Sequence, residues 1–204
     1  KICEPIRIVI FSGIVSNSSA ALAELENYHA ELIRKLAPIP IHRIFLMSSS
    51  AVYGDYKQEF SEDDECMPTS LYGASKLLIE KLYTDSFADS LVILRLGNVI
   101  GLDSVANAFA LLKPESRYIE CREDGSTALR TYVDDLVLCK ALTMLSYATS
   151  VPPVLNIGRQ KPQSMSEMVQ ELGAVYQLKF TNKPLRNITL DTSLLFKLLT
   201  GSGA

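Results

Sequence analysis

"HRIFLMSSSAVYG", residues 42–54, sets the apolar run Ile44 to Met47 directly before three serines. Apolar residues without alternation, ending in small polar ones, are the pattern of a strand buried on both faces whose carboxyl end meets a ligand or solvent. Ile44 to Ser48 is therefore expected to be such a strand. Ile6 to Phe11, "IRIVIF", repeats the pattern and ends in Ser12-Gly13, and Leu91 to Leu96 in "LVILRLGNVIG" repeats it again. Between these runs lie two helix-period stretches. One spans about Ser19 to Leu36. The other is announced by Pro68 and Thr69-Ser70, with Ala74, Leu77, Leu78 and Leu82 as its expected buried face.

Strand, helix, strand, helix, strand with all-apolar strands predicts an α/β fold, a doubly wound parallel sheet with helices on both faces. Ligands of such sheets bind outside the carboxyl ends of the strands. Ser12-Gly13, Ser48 to Ser50 and Gly97-Asn98 are thus expected to line one crevice. Beyond Asn98 a polar stretch leads to a helix from Val133 to Tyr147, with Asp134 and Asp135 in its first turn. "VLNIG" reads as a short strand, and "SMSE", Ser164 to Glu167, as a capping box before a helix ending near Leu172. Asp191 is expected to cap a last helix.

Composition narrows the function. The 204 residues carry a formal charge of -3 and no long basic run, which argues against nucleic acid as the main partner. The apolar runs are too short or too interrupted to span a bilayer, and the N-terminus lacks a signal peptide's layout, so a cytoplasmic protein is expected. Cys3, Cys66, Cys121 and Cys139 are scattered, with only His29 and His42 beside them, so neither a metal site nor a disulfide framework is expected.

In "SLYGASKLLIE", Ser70 to Glu80, Tyr72 and Lys76 stand four apart and so share one helix face. The structural reading is that one packs and the other is solvated. The chemical reading is that an ammonium beside a phenol favours the phenolate and makes a general base. The serines upstream have the same two readings: turn and cap chemistry, or a hydroxyl that holds a substrate oxygen.

Five pieces stand in one order: "FLMSSSAVYGD" (45–55), "SLYGASKLLIEKL" (70–82), "LRLGNVIG" (94–101), "RTYVDDLV" (130–137) and "LNIGRQKPQSMSEMV" (155–169). Together they resemble the extended short-chain dehydrogenase/reductases, in particular the NAD-dependent epimerase/dehydratase family acting on nucleotide sugars. The resemblance implies a Rossmann-like core, NAD as cofactor in preference to NADP, a nucleotide-sugar substrate and a homodimer. It makes Tyr72 the catalytic base, Lys76 the lysine that supports it and holds the nicotinamide ribose, and Ser49 the catalytic hydroxyl with Ser50 beside it toward substrate. Phe11, Ser12, Gly13 and Gly97 would approach the cofactor. Asn98 and Arg130 would hold the substrate diphosphate, with Arg117, Arg122 and Arg159 as alternatives. Asn27 resembles a family asparagine near the cofactor.

Two departures shape the expectation. Where dehydratases of this family place an Asp-Glu pair after the hydroxyl, the chain has Ser50 and Ala51, which leans against 4,6-dehydration. No glycine-rich strand-turn-helix stands before Ile6. The chain therefore reads as a fragment of a longer enzyme, as a short paralogue, or as one in which "IRIVIFSG" is itself the first strand. The expected organisation is an N-terminally incomplete Rossmann-like core over 1–158 and a small substrate-binding lobe over 159–204, with 98–131 contributing. The expected activity is NAD-dependent epimerisation of a nucleotide sugar through a transient keto intermediate. The alternatives are an NAD(P)-dependent reductase on the same scaffold and a non-catalytic binding paralogue.

Overall fold

The computed structural model describes residues 6–11, 20–100, 118–173 and 176–201. Ser12, Gly13, Arg117 and Cys3 lie outside the described residues. The first half of the chain runs β1 (Ile6–Phe11), α1 (Ala20–Leu36), β2 (Ile41–Ser49), a 3-10 turn (Ser50–Val52), β3 (Glu59–Phe60), α2 (Leu71–Phe87), β4 (Leu91–Leu96) and β5 (Asn98–Ile100). The second half runs β6 (Tyr118–Cys121), β7 (Leu129–Arg130), β8 (Tyr132–Asp134), α3 (Asp135–Tyr147), β9 (Val154–Ile157), β10 (Gln163–Ser164), α4 (Met165–Glu171), β11 (Gln177–Phe180), β12 (Thr189–Leu190) and α5 (Ser193–Leu199). Two compact units form: Lys1–Gly54 with Glu62–Arg95 and Leu142–Leu155, and Asp55–Ser61 with Leu96–Ala141 and Asn156–Ala204.

The first unit is built on a sheet in the order β1-β2-β4-β9, in which β1 and β2 are parallel with Ile6 beside Ile41 and Phe11 beside Leu46. The α/β architecture expected from the apolar runs is thus the one that forms. Along β2, side chains alternate between faces. Ile44 and Leu46 pack with Leu25 of α1 and with Ile79 and Tyr83 of α2, together with Leu91 and Ile93 of β4. Arg43, on the opposite face, donates to the carbonyls of Leu145 and Ala148 at the end of α3. Those carbonyls have no partner within the helix and carry its negative dipole end, so a guanidinium there satisfies both needs. Helices therefore cover both faces of β2.

The second unit is held by short ladders. β5 pairs in parallel with β8, β3 with β12 and β6 with β11, while β7 and β10 are antiparallel. Ile100, Tyr132 and Met168 form a buried cluster. The amide of buried Asn156, in the same unit, donates to the carbonyls of Phe60 and Asp191 and so supports the β3–β12 pair.

Three local expectations are corrected. On α2 the buried residues are Gly73, Ser75, Lys76, Ile79, Glu80 and Tyr83, while Ala74, Leu77, Leu78 and Leu82 are only half-buried. Two charged residues can occupy the inner face because the unit supplies them with partners. Val133 and Asp134 belong to β8, paired with Val99 and Ile100, and α3 starts at Asp135; the Asp134 carboxylate instead accepts the Val137 amide. The cap position of α5 is Thr192, and Asp191 accepts from the Ser193 amide one residue further on. The capping box at Ser164 and Glu167 forms as read. Among the described residues no helix is long and apolar enough to cross a membrane, and no cluster of His, Cys, Asp or Glu could hold a metal ion.

Gly73, in the first turn of α2, lies so close to the turn after β2 that a Cβ there would stand 2.3 Å from the Ala51 carbonyl oxygen and 2.9 Å from Pro68 Cβ. Gly54, at φ +85, is pinned the same way against the Met67 carbonyl. In a helix Gly→Ala ordinarily stabilises by up to about 1 kcal/mol. Gly73→Ala should reverse that sign. A cost of about 1–3 kcal/mol from overpacking is expected, seen as a fall in Tm of roughly 3–10 °C in a thermal melt.

Candidate active site

The contact at Gly73 determines the geometry around Tyr72. Ser70 caps α2 by accepting the Gly73 amide at 3.0 Å, which starts the helix with Tyr72 in its first turn and Lys76 one turn on. Across the close approach, β2 ends at Ser49, whose Oγ accepts the Ala51 amide at 3.2 Å and closes the 3-10 turn. The residues expected to act together, Tyr72, Lys76, Ser49 and Ser50, are thus carried by two elements in backbone contact. Tyr72, Ser49 and Ser50 are half-buried, whereas Lys76 is buried.

Lys76 Nζ donates to the Met47 carbonyl at 2.9 Å. Burial lowers its pKa from the ordinary lysine value, and the negative charge of Glu80, one turn along α2, works against that. Glu80 in turn accepts from Ser48 and from Arg95 of β4, whose Nη2 lies 2.9 Å from one carboxylate oxygen and Nε 3.3 Å from the other. The Arg95 guanidinium stacks over the Tyr53 ring at 4.8 Å. Burial opposes the charge on Arg95, but the hydrogen bonds and charge of Glu80 outweigh it and raise its pKa. Burial pushes Tyr53 up to about 12, with Arg95 opposing. Of these four polar residues only Ser48 is singled out by the sequence, as part of the strand end at Ser48 to Ser50; Glu80, Arg95 and Tyr53 are not. The signal was present: an arginine inside "LVILRL" cannot be buried without a counter-charge, and Glu80 continues the four-residue spacing of Tyr72 and Lys76.

Gly97, Asn98 and Arg130 belong to the second unit. A Cβ on Gly97 would stand 2.4 Å from the Thr131 carbonyl oxygen, so packing alone requires glycine there. Asn98 opens β5 and is half-buried. Phe11 closes β1, in the first unit, opposite Leu46. Asn27 is exposed inside α1 rather than preceding a helix.

Arg130 lines a cavity of about 860 Å³ together with Tyr56, Lys57, Tyr118, Lys183 and Arg186. Its Nη1 donates to the carbonyls of Leu129 and Arg186, which fixes the guanidinium. Burial lowers its pKa; Tyr132 opposes this and the like charge of Arg186 adds to it. The cavity walls hold four cations against the carboxylates of Asp55 and Glu120, and Asp55 is taken by Arg186 at 3.2 Å. Among the described residues Arg130 and Lys183 pair with no carboxylate. Arg159, the alternative phosphate ligand, is committed elsewhere, to Asp134 at 3.0 Å and Glu171 at 2.8 Å. Its pKa is raised mainly by Glu171. Arg122 lines two neighbouring cavities of the same unit.

Comparison with known proteins places this architecture. No curated protein matches the chain. Among solved structures, MoeE5 in complex with UDP-glucuronic acid and NAD superposes with a TM-score of 0.69 at 22% identity, over 96% of this chain and 73% of that one. UDP-glucuronic acid 4-epimerase from Bacillus cereus, in complex with NAD, gives 0.74 at 22% identity, over 96% and 67%. ADP-L-glycero-D-manno-heptose-6-epimerase from Helicobacter pylori gives 0.70 at 18% identity, over 95% and 66%. At such identities the likeness establishes a partial Rossmann-like fold. The family model described as the NAD dependent epimerase/dehydratase family matches residues 23–158, from α1 through β9, which is more than half of the chain. The ordered pieces around Ser49, Tyr72, Asn98 and Arg130 all begin inside that span, and the chain belongs to the NAD-dependent epimerase/dehydratase family.

Proposed function

We propose that this chain carries the proton-transfer residues of a nucleotide-sugar epimerase. The observation that carries the reading is the close packing of Gly73 on Ala51, which sets the turn bearing Tyr72 against the turn bearing Ser49. In the proposed reaction Tyr72, as phenolate, takes the proton of a sugar hydroxyl, and Ser49 donates a hydrogen bond to the same oxygen. Lys76 keeps positive charge beside Tyr72. Ser50 and Ala51, in place of an acid pair, favour epimerisation over 4,6-dehydration.

The donor set fits a dinucleotide cofactor: a buried ammonium and a tyrosine share one helix face at the carboxyl end of a strand of a parallel sheet, where such ligands bind. Lys76 and Tyr72 would hold the nicotinamide ribose, with Phe11 along the cofactor. NAD, when bound, supplies the acceptor and donor of the hydride that makes and unmakes the keto sugar. Tyr72 returns the proton at the end of the cycle, and Ser49 holds the oxygen throughout.

The second unit is proposed as the substrate-binding lobe. Its cavity carries an excess of positive charge, which suits a nucleoside diphosphate, and the fixed guanidinium of Arg130 can grip a phosphate with two parallel donors. Tyr56 and Tyr118 contribute aromatic surface to the same cavity, which suits a base. Asn98 is proposed as a further diphosphate ligand.

Two outcomes test this reading. With NAD added, and with UDP-glucuronic acid and UDP-glucose as probes, the purified chain should epimerise one of them. Tyr72→Phe should then lose turnover by about 100-fold or more with an unchanged Tm; a Tyr72→Phe variant as active as wild type overturns the assignment. Arg130→Ala should raise KM for the UDP-sugar by roughly 10–100-fold, the worth of a charged phosphate contact, with kcat within a factor of about two. A steady-state titration reads both constants. A requirement for added NADPH with net formation of alcohol would identify a reductase instead.

A further inference from the structure

Tyr72 and Lys76 are followed on the same face of α2 by Glu80, to which the proposed chemistry gives no part. Its contacts are specific. Lys76 holds the Met47 carbonyl at 2.9 Å, and Glu80 accepts the hydroxyl of the next residue, Ser48. Two successive turns of α2 thus grip two successive residues of β2, and the residue after them is Ser49. From the other side Arg95 of β4 clamps both carboxylate oxygens of Glu80 and sits over the Tyr53 ring. Tyr53 is the residue that ends the turn begun by Ser49. The chain of contacts runs Ser48, Glu80, Arg95, Tyr53 and back through the turn to Ser49, so Ser49 is held from both flanks. All four residues are buried.

A pair serving stability alone would need neither the bond to Ser48 nor the stacking return to Tyr53. A buried ion pair is in any case a weak source of stability, because desolvation cancels most of the attraction. We propose that Glu80 is a positioning residue for proton transfer: it fixes the axial register of α2 against the end of β2, so that Tyr72 and Lys76 address an oxygen held by Ser49. The chemical part of this inference rests on the epimerase reading above. Catalysis is sensitive to such register, since a misplacement of about 1 Å can cost on the order of 100-fold in rate.

The test uses the full chain and two variants. Ser48→Ala leaves the Glu80–Arg95 pair intact and removes only its tie to β2. The double variant Glu80→Met/Arg95→Met removes both charges together at similar volume, an exchange that buried pairs commonly tolerate. With the UDP-sugar that wild type turns over, in the presence of NAD, Ser48→Ala should lower kcat by about 10-fold and leave KM within a factor of about two. Its Tm should stay within about 3 °C of wild type. The double variant, where folded, should lose about 100-fold in kcat.

Independently of turnover, the NMR resonances of the Tyr72 ring and of Lys76 Cε should move in Ser48→Ala, although neither residue adjoins the substitution in sequence. Wild-type kcat in Ser48→Ala, or Tyr72 and Lys76 resonances that coincide with those of wild type, would overturn the proposal. If wild type turns over neither probe, the epimerase reading fails at that point, and the resonances alone decide whether Glu80 positions the helix.

Discussion

A guanidinium inside a strand buried on both faces must be neutralised where it sits, and Arg95 meets that requirement through Glu80. The consequence reaches beyond one ion pair. Because Glu80 lies two turns into α2 and also takes the Ser48 hydroxyl, the demand of a single charge on β4 couples β4, α2 and the end of β2. Apolar packing by Ile44, Ile79, Tyr83 and Ile93 supplies the bulk of the cohesion between these elements, but it is tolerant of small slides. The polar contacts and the backbone approach at Gly73 are not, because each has a narrow range of distance. Cohesion and register are therefore supplied by different residues in this unit.

That division explains why two charged side chains can face inward on a helix whose leucines stay half-exposed. Lys76 and Glu80 are costly to bury singly, yet each is answered by a strand-end group, the Met47 carbonyl and the Ser48 hydroxyl. Burial lowers the pKa of Lys76, and Glu80 resists that lowering. The same carboxylate thus contributes to the charge state of the lysine and to the placement of the helix. A helix held in this way presents Tyr72 in its first turn, where the Ser70 cap has already fixed the backbone.

Much of the fold was legible because its determinants are local. The strands β1, β2 and β4 are built on apolar runs, and α1 follows its periodicity to within a residue. The capping box at Ser164 is a four-residue signal and forms as such. What escaped the sequence is non-local. β3, β7, β10 and β12 are two residues long and exist only because distant partners complete them. Val133-Asp134 read as helix because an acidic pair precedes an apolar stretch, but their pairing with Val99 and Ile100 across the chain prevails. The inner face of α2 differs from its expectation for the same reason: hydrophobicity points to the leucines, while burial follows partners contributed by β2 and β4.

The second unit shows how far residue type alone carries a reading. The family resemblance puts Arg130 first for the phosphate and leaves Arg117, Arg122 and Arg159 as alternatives, without a physical reason for the order. Partners separate two of them. Arg159 spends its guanidinium on Asp134 and Glu171, linking β8 to α4, and its charge is already answered. Arg130 is held by carbonyls, which orient a guanidinium without neutralising it, and it faces a cavity shared with Lys183 and Arg186. An anion entering that cavity gains a cation whose desolvation and ordering costs are already met by the fold, whereas binding at Arg159 would first have to break two ion pairs. Preorganised, uncompensated charge is the physical property that favours Arg130 over Arg159 as the proposed phosphate ligand.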